Sequence, residues 1–123
     1  LKGVNDAYGH DAGNRLLRHL AAVIQAELRS TDVPARYGGD EFIVLLPETP
    51  AKGALDVGER IRNAIAAAPL PLEGRMVACS VSVGIACFPD DGRSLDALAG
   101  RADRALYSAK KDGRNRVARY QPA

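Results

Sequence analysis

Two acids stand side by side at Asp40 and Glu41, just after the glycine pair Gly38-Gly39 and just before the apolar run Phe42-Ile43-Val44-Leu45-Leu46. Adjacent carboxylates at the lip of a sheet repel each other unless a cation lies between them. A hard divalent ion answers that need, because it takes oxygen ligands and can join protein carboxylates to a nucleotide phosphate. The glycines separate Val33-Pro34-Ala35-Arg36-Tyr37 from the apolar run and predict a two-residue hairpin turn, since glycine tolerates the positive φ of primed turns. A hairpin tip with solvated charges fits these residues equally well.

The surrounding sequence has to hold that loop in place. Its 123 residues suffice for one domain with a modest core, and 46% hydrophobic with 26% charged residues is the balance of a folded globule. A formal charge of +2 argues for neither nucleic acid nor membrane, and the basic residues concentrate only mildly from Arg101 to Arg119. No apolar run approaches the ~20 residues of a membrane span. Cys79 and Cys87, eight apart in one predicted strand, would lie roughly 26 Å from each other, so two reduced thiols are expected.

Helical periodicity recurs three times. Asn5 to Asn14 reads as a loop or short helix, followed by a helix over 14–29 with Leu17, Leu20, Ala21, Ile24 and Leu28 inward and His19 at its boundary. Thr49 as N-cap and Pro50 at the first helical position open a second helix, with Leu55, Gly58, Ile61, Ala64, Ile65 and Ala68 inward and Pro69 and Pro71 stopping it. Residues 77–88 alternate as one strand, whose small face of Ala78, Ser80, Ser82, Gly84 and Ala86 suits a helix lying close. Asp90-Asp91-Gly92 is a turn. Ser94 caps a third helix with Leu95, Leu98, Ala102, Ala105, Leu106 and Ala109 inward, and Gly113 occupies its left-handed C-terminal position. Residues 116–120 form a last strand. The class is α/β with a mixed sheet flanked by helices, without repeat, linker or second domain.

Read as they stand, Arg36-Tyr37-Gly38-Gly39-Asp40-Glu41-Phe42 resembles the signature loop of GGDEF-domain diguanylate cyclases. Residues 2–13 (KGVNDAYGHDAG) resemble that family's nucleotide-binding segment. Arg29-Ser30-Thr31-Asp32 has the spacing of its inhibitory-site motif, and Asp112-Gly113-Arg114-Asn115 also fits. The resemblance implies a nucleotidyl-cyclase or palm-like fold, with 1–123 an N-terminally incomplete GGDEF domain. The first helix and first central strand, with the family's first metal Asp, would precede Leu1, which itself replaces the family's usual Phe.

The implied reaction condenses two GTP into cyclic di-GMP and pyrophosphate across a head-to-tail homodimer, by two-metal phosphoryl transfer with Mg2+ or Mn2+. By resemblance Glu41 is a metal ligand, and Asp40 the second acid that helps position metal or activate the 3′-hydroxyl. Gly38 and Gly39 let the backbone approach the nucleotide, Lys2, Lys110 and Arg114 contact the triphosphate, and Asn5 contacts guanine. Lys110 also reads as a helix-end cation favoured by the macrodipole. Arg29 and Asp32 are the implied product-inhibition site, with Arg60 contributed by a neighbouring domain. An Arg fork suits guanine O6 and N7, and a carboxylate accepts from guanine N–H groups. An attached sensory or receiver domain upstream, a cytoplasmic location with tethering to a membrane sensor left open, and no nucleic-acid polymer complete the expectation. His10-Asp11 alone does not make an HD-type phosphohydrolase, because His19 is the only other histidine.

The alternative is a non-catalytic GGDEF-like receptor of cyclic di-GMP or GTP that regulates an attached effector. Asp40 and Glu41 favour the enzyme; the missing upstream segment and Asn14 favour the receptor. Residues 1–123 alone are expected to make little or no product. Asn14 stands where the family usually has Asp, which accepts both the N1–H and the N2–H₂ of guanine. An amide mispairs one of them at a cost of about 1–3 kcal/mol, and fits either the N1–H/O6 edge of guanine after sliding or the N6–H₂/N1 edge of adenine. GTP selectivity is therefore expected to be weakened in favour of ATP. Asn14→Asp should sharpen discrimination between GTP and ATP in competition binding; an unchanged ratio rejects the assignment.

Overall fold

Apolar residues at helical spacing build α1 (His10–Ala26), α2 (Ala51–Ala66) and α3 (Leu95–Lys111) in a computed structural model that describes residues 8–122. The strands are short: β1 (Val33–Arg36), β2 (Phe42–Leu45), β3 (Leu70–Leu72), β4 (Arg75–Val77), β5 (Val83–Ile85) and β6 (Val117–Arg119). β1–β2 and β3–β4 are antiparallel and β5–β6 is parallel, so the α/β class with mixed pairing holds. Among the described residues the strands pair two by two, each laddered on one edge. The elements divide into two compact units. One comprises the chain to Pro47 with Ala64–Cys79, the other Glu48–Asn63 with the chain from Ser80.

In the first unit α1 begins at His10, four residues before the helix expected from periodicity. Gly9 is its N-cap, without a side-chain cap, and the Gly13 N–H donates to the Gly9 carbonyl at 3.3 Å. The glycine-punctuated stretch looked like a loop, but Ala12 and Gly13 are buried helix residues. Ala12 and Leu16 meet Leu70 and Leu72, with Tyr8, Leu20, Val77 and Cys79 packed against them. Each fully buried leucine contributes about 1.5–3 kcal/mol. Arg15 donates to the Pro71 carbonyl at 2.8 Å, and the His19 ring is bonded to the Ala68 carbonyl, a structural role at the helix boundary.

The β3–β4 hairpin was not expected, because Pro69 and Pro71 read only as stops. Proline is tolerated on a strand laddered on one edge. Glu73 and Gly74 join the strands at φ 50 and 77, and positive φ at both central residues is the requirement of a type I′ turn. The expected strand over 77–88 is accordingly divided: β4 ends at Val77 where its partner ends, β5 starts at Val83 opposite β6, and 78–82 join no ladder among the described residues. Strand length is set by partners, not by alternation alone.

The second unit is closed by small residues. On α2 the Ala54 N–H donates to the Pro50 carbonyl at 2.9 Å. Ala54, Gly58 and Ile61 are buried on one stripe. A Cβ added at Gly58 would come within 3.1 Å of Val117 and 3.3 Å of Ile85, so its absence lets α2 settle on β5–β6. The Ser94 hydroxyl accepts from the Ala97 N–H at 3.1 Å and caps α3, as expected.

Along α3 Ala105 and Ala109 are buried, whereas Leu95 is 60% exposed, a correction to its inward assignment. A 17-residue helix runs about 25 Å and a three-residue strand about 10 Å, so the first turn overhangs its support. Both cysteines are free. Cys87 is buried, and desolvation pushes its thiol up, keeping it protonated.

Gly84 on β5 bears the closest approach. A Cβ there would run into the Ala102 carbonyl and the Leu106 backbone of α3, neither of which yields as a side-chain tip would. Gly100, exposed on the same helix, has nothing within 4 Å of an added Cβ. In urea unfolding, Gly84→Ala should cost about 2–3 kcal/mol. Gly100→Ala should gain about 0.5–1 kcal/mol from helix propensity. Equal effects would contradict the packing described.

Candidate functional site

The two acids sit at the tip of the β1–β2 hairpin. The ladder pairs Arg36 with Phe42, and beyond it the N–H groups of Tyr37 and Gly38 both donate to the Glu41 carbonyl, at 2.8 and 3.3 Å. Two donors against one acceptor is the pattern of a β-bulge, a device that re-aims side chains at the end of a ladder. This corrects the expected primed turn. Among the described residues the positive-φ glycines are Gly9, Gly74, Gly92 and Gly113, so neither Gly38 nor Gly39 uses the left-handed region.

Local packing does not require the glycines either. An added Cβ at Gly39 meets nothing within 4 Å, and one at Gly38 makes ordinary contact with the Glu41 Cβ at 3.7 Å. What they leave is clearance at the apex. Asp40 is exposed and Glu41 half-buried.

Arg36 completes the tip and was assigned no role from sequence. Its Nε donates to the Gly38 carbonyl at 3.2 Å and a terminal nitrogen to the Gly39 carbonyl at 2.7 Å. An arginine two residues before a glycine pair was the available signal. Among the described residues no group of three or more His, Cys, Asp or Glu converges as a metal cage. Two neighbouring oxygen donors nonetheless suit a hard ion of the magnesium kind, which keeps several waters and takes one or two carboxylates together with substrate phosphates.

Apart from Arg29 and Asp32, the remaining sequence-derived residues fall in three places. Lys2 and Asn5 lie outside the described residues. Asn14 is exposed on α1, in the unit that carries the signature hairpin. Lys110, Arg114 and Arg60 are exposed in the other unit.

Around Arg114 the α3 terminus is a double backbone lock. The Gly113 N–H donates to the Lys110 carbonyl at 3.4 Å and the Arg114 N–H to the Ala109 carbonyl at 3.0 Å, the two bonds of a Schellman motif. Gly113 has φ 125, as expected of its position. Arg114 and Asn115 follow at φ 63 and 48, and a non-glycine residue held there costs about 1–2 kcal/mol. Bonds from Arg116 Nε to the Arg114 carbonyl and from Arg62 to Asn115 Oδ1 retain the conformation. Among the described residues the Lys110 and Arg114 side chains have no hydrogen-bond or ion partner.

Arg29 and Asp32 are brought together directly. Asp32 accepts from the Arg29 backbone N–H at 2.9 Å, from its Nε at 3.4 Å and from its terminal nitrogen at 3.0 Å, and that nitrogen also donates to the Pro47 carbonyl at 3.1 Å. The Asp32 side chain is 1% exposed and that of Arg29 56%. Asp32 thus faces Arg29 and orients it. Direct acceptance from guanine requires this pair to open.

Residues 1–116 match the family model described as Diguanylate cyclase, GGDEF domain. Diguanylate cyclase A of Treponema denticola is 41% identical over 116 residues, which cover 94% of this chain and 31% of that protein. Among solved structures, the GGDEF domain of Pseudomonas aeruginosa YfiN (TpbB) matches with a TM-score of 0.93 at 35% identity, covering 99% of this chain and 76% of that one. The GGDEF domain of Caulobacter crescentus DgcB, in complex with c-di-GMP, matches with a TM-score of 0.87 at 35% identity, covering 96% and 70%. The chain spans about a third or less of the curated relatives it matches. With the signature hairpin, the α/β architecture and these likenesses in agreement, the chain belongs to the GGDEF-domain diguanylate cyclase family.

Proposed function

We propose that the chain is the catalytic domain of a diguanylate cyclase, acting as one half of a head-to-tail homodimer. The observation that carries this reading is the bulged hairpin tip, which presents Asp40 and Glu41 beside two glycines that the fold itself does not need. In the proposed reaction each GTP ribose 3′-hydroxyl attacks the α-phosphorus of the other GTP. A P–O bond forms, pyrophosphate leaves and the hydroxyl proton passes to a base. Glu41, with Asp40 beside it, would hold a magnesium or manganese ion, whose charge when bound neutralises the phosphates. Asp40 is exposed, where it is able to receive the hydroxyl proton directly or through water. Lys110 and Arg114 supply positive charge to the triphosphate. Arg114 does so from a backbone fixed by the Schellman bonds.

Product inhibition is assigned to Arg29, oriented by Asp32, with Arg60 of a neighbouring domain. Support comes from the half-exposed guanidinium with its buried partner, from the chemistry of Arg forks on guanine and from the c-di-GMP complex of DgcB. Because the curated relatives are longer, upstream sensory or receiver domains belong to the same proposal.

The natural protein containing this chain should convert GTP with Mg2+ to cyclic di-GMP, read by chromatography, and Glu41→Gln should lower turnover on the order of a hundredfold or more. GTP bound without product would favour the receptor reading; no GTP binding would reject both. For the inhibitory site, Arg29→Ala should raise the calorimetric Kd for cyclic di-GMP at least about tenfold while the chain stays folded, at some cost in stability because the buried Asp32 carboxylate loses its guanidinium partner. Asp32→Ala should in addition cost about 1–3 kcal/mol in urea unfolding, because a buried acceptor of a backbone N–H is removed. Unaltered affinity in Arg29→Ala removes that site.

A further inference from the structure

Arg36 has no part in the reaction above, yet its guanidinium fixes the apex on which that reaction depends. It bonds two successive carbonyls, Gly38 O at 3.2 Å and Gly39 O at 2.7 Å. A trans peptide points its C=O and N–H in opposite directions. Holding both carbonyls on one guanidinium therefore turns the N–H groups of Gly39 and Asp40, which complete those two peptide units, to the far side of the loop. Neither N–H has an acceptor among the described residues. The approach to them is open, since an added Cβ at Gly39 meets nothing within 4 Å. Successive N–H groups facing one way form an anion-binding concavity.

We propose that Arg36 is a positioning residue for the nucleotide. Its fork presents the Gly39 and Asp40 N–H groups as paired donors to a phosphate of the bound purine triphosphate. The inference rests on the nucleotide reading of the site and adds to it a side chain that acts through the backbone. Only a planar fork donates from two nitrogens to two neighbouring carbonyls at once; a lysine ammonium is a single point of charge. Arg36 is exposed and its side-chain hydrogen bonds are confined to the loop, so the backbone ladder of the hairpin does not depend on its guanidinium.

The test is an NMR titration of the natural protein and its Arg36→Ala and Arg36→Lys variants with GTP in Mg2+, and separately with guanosine. Melting curves establish that each variant is folded at the assay temperature. In Arg36→Ala the Kd for GTP should rise about tenfold, with guanosine affinity held within twofold and the GTP-induced amide shifts of Gly39 and Asp40 diminished. Arg36→Lys should fall short of full rescue. Unchanged GTP affinity in Arg36→Ala, parallel weakening of GTP and guanosine, or complete rescue by lysine each overturns the proposal. A wild-type protein that binds no GTP overturns the nucleotide reading and this inference with it, whereas the variant outcomes bear on Arg36 alone.

Discussion

Two negative charges on consecutive residues are a constraint that the rest of the first unit answers. Asp40 is exposed and Glu41 half-buried at the hairpin tip, where the backbone carbonyl of Glu41 accepts from both Tyr37 and Gly38. That shared acceptor ends the β1–β2 ladder with a bulge and leaves only Gly39 and Asp40 at the apex. Arg36 then fastens the apex from within the hairpin. The tip is ordered by hydrogen bonds to its own backbone, so its carboxylates remain available to a ligand. The opposite end of β1 is held in a comparable way, where the buried Asp32 carboxylate gathers the backbone and side chain of Arg29.

Close packing in the second unit depends on missing atoms. Gly58 lets α2 reach Ile85 and Val117, and Gly84 lets the α3 backbone lie directly on β5. Neither glycine is there for its φ. Dispersion and burial over such contacts favour a rigid platform, because interiors are packed as densely as organic crystals. On that platform α3 ends in its Schellman bonds, and Arg114 and Asn115 are retained in left-handed geometry by Arg116 and Arg62. Strain of this kind is tolerated where the surroundings over-determine it, and here it falls beside the cations assigned to the triphosphate.

A second polar knot braces the start of α3. The buried Asp91 carboxylate accepts from the Cys87 N–H at 2.8 Å and lies 3.5 Å from Arg119 Nε. Arg101 donates to the Asp91 carbonyl at 2.8 Å and stacks over the Tyr120 ring at 5.7 Å. A stretch that read as an ordinary turn is in this way an anchor between a loop, a helix and the last strand.

From letters alone came the three amphipathic helices, the Ser94 cap, the Gly113 terminus and the close helix over Gly84, because each is encoded in side chains near one another in sequence, while the candidate site residues came from the resemblance of whole motifs to a family. Helical spacing, capping oxygens and adjacent charges act within a few residues. The Glu73-Gly74 hairpin is local and was hidden by two prolines that read as stops, whereas the extent of β5 and the exposure of Leu95 depended on which distant segment arrived as partner. The same holds for the internal occupation of Asp32, whose partner Arg29 is itself tied to the Pro47 carbonyl. At the signature loop the residues pointed correctly to a hairpin with the acids at its tip, yet not to its form. A glycine pair is compatible with a primed turn or a bulge, and only the bonds made by Glu41 and Arg36 in the folded chain select between them.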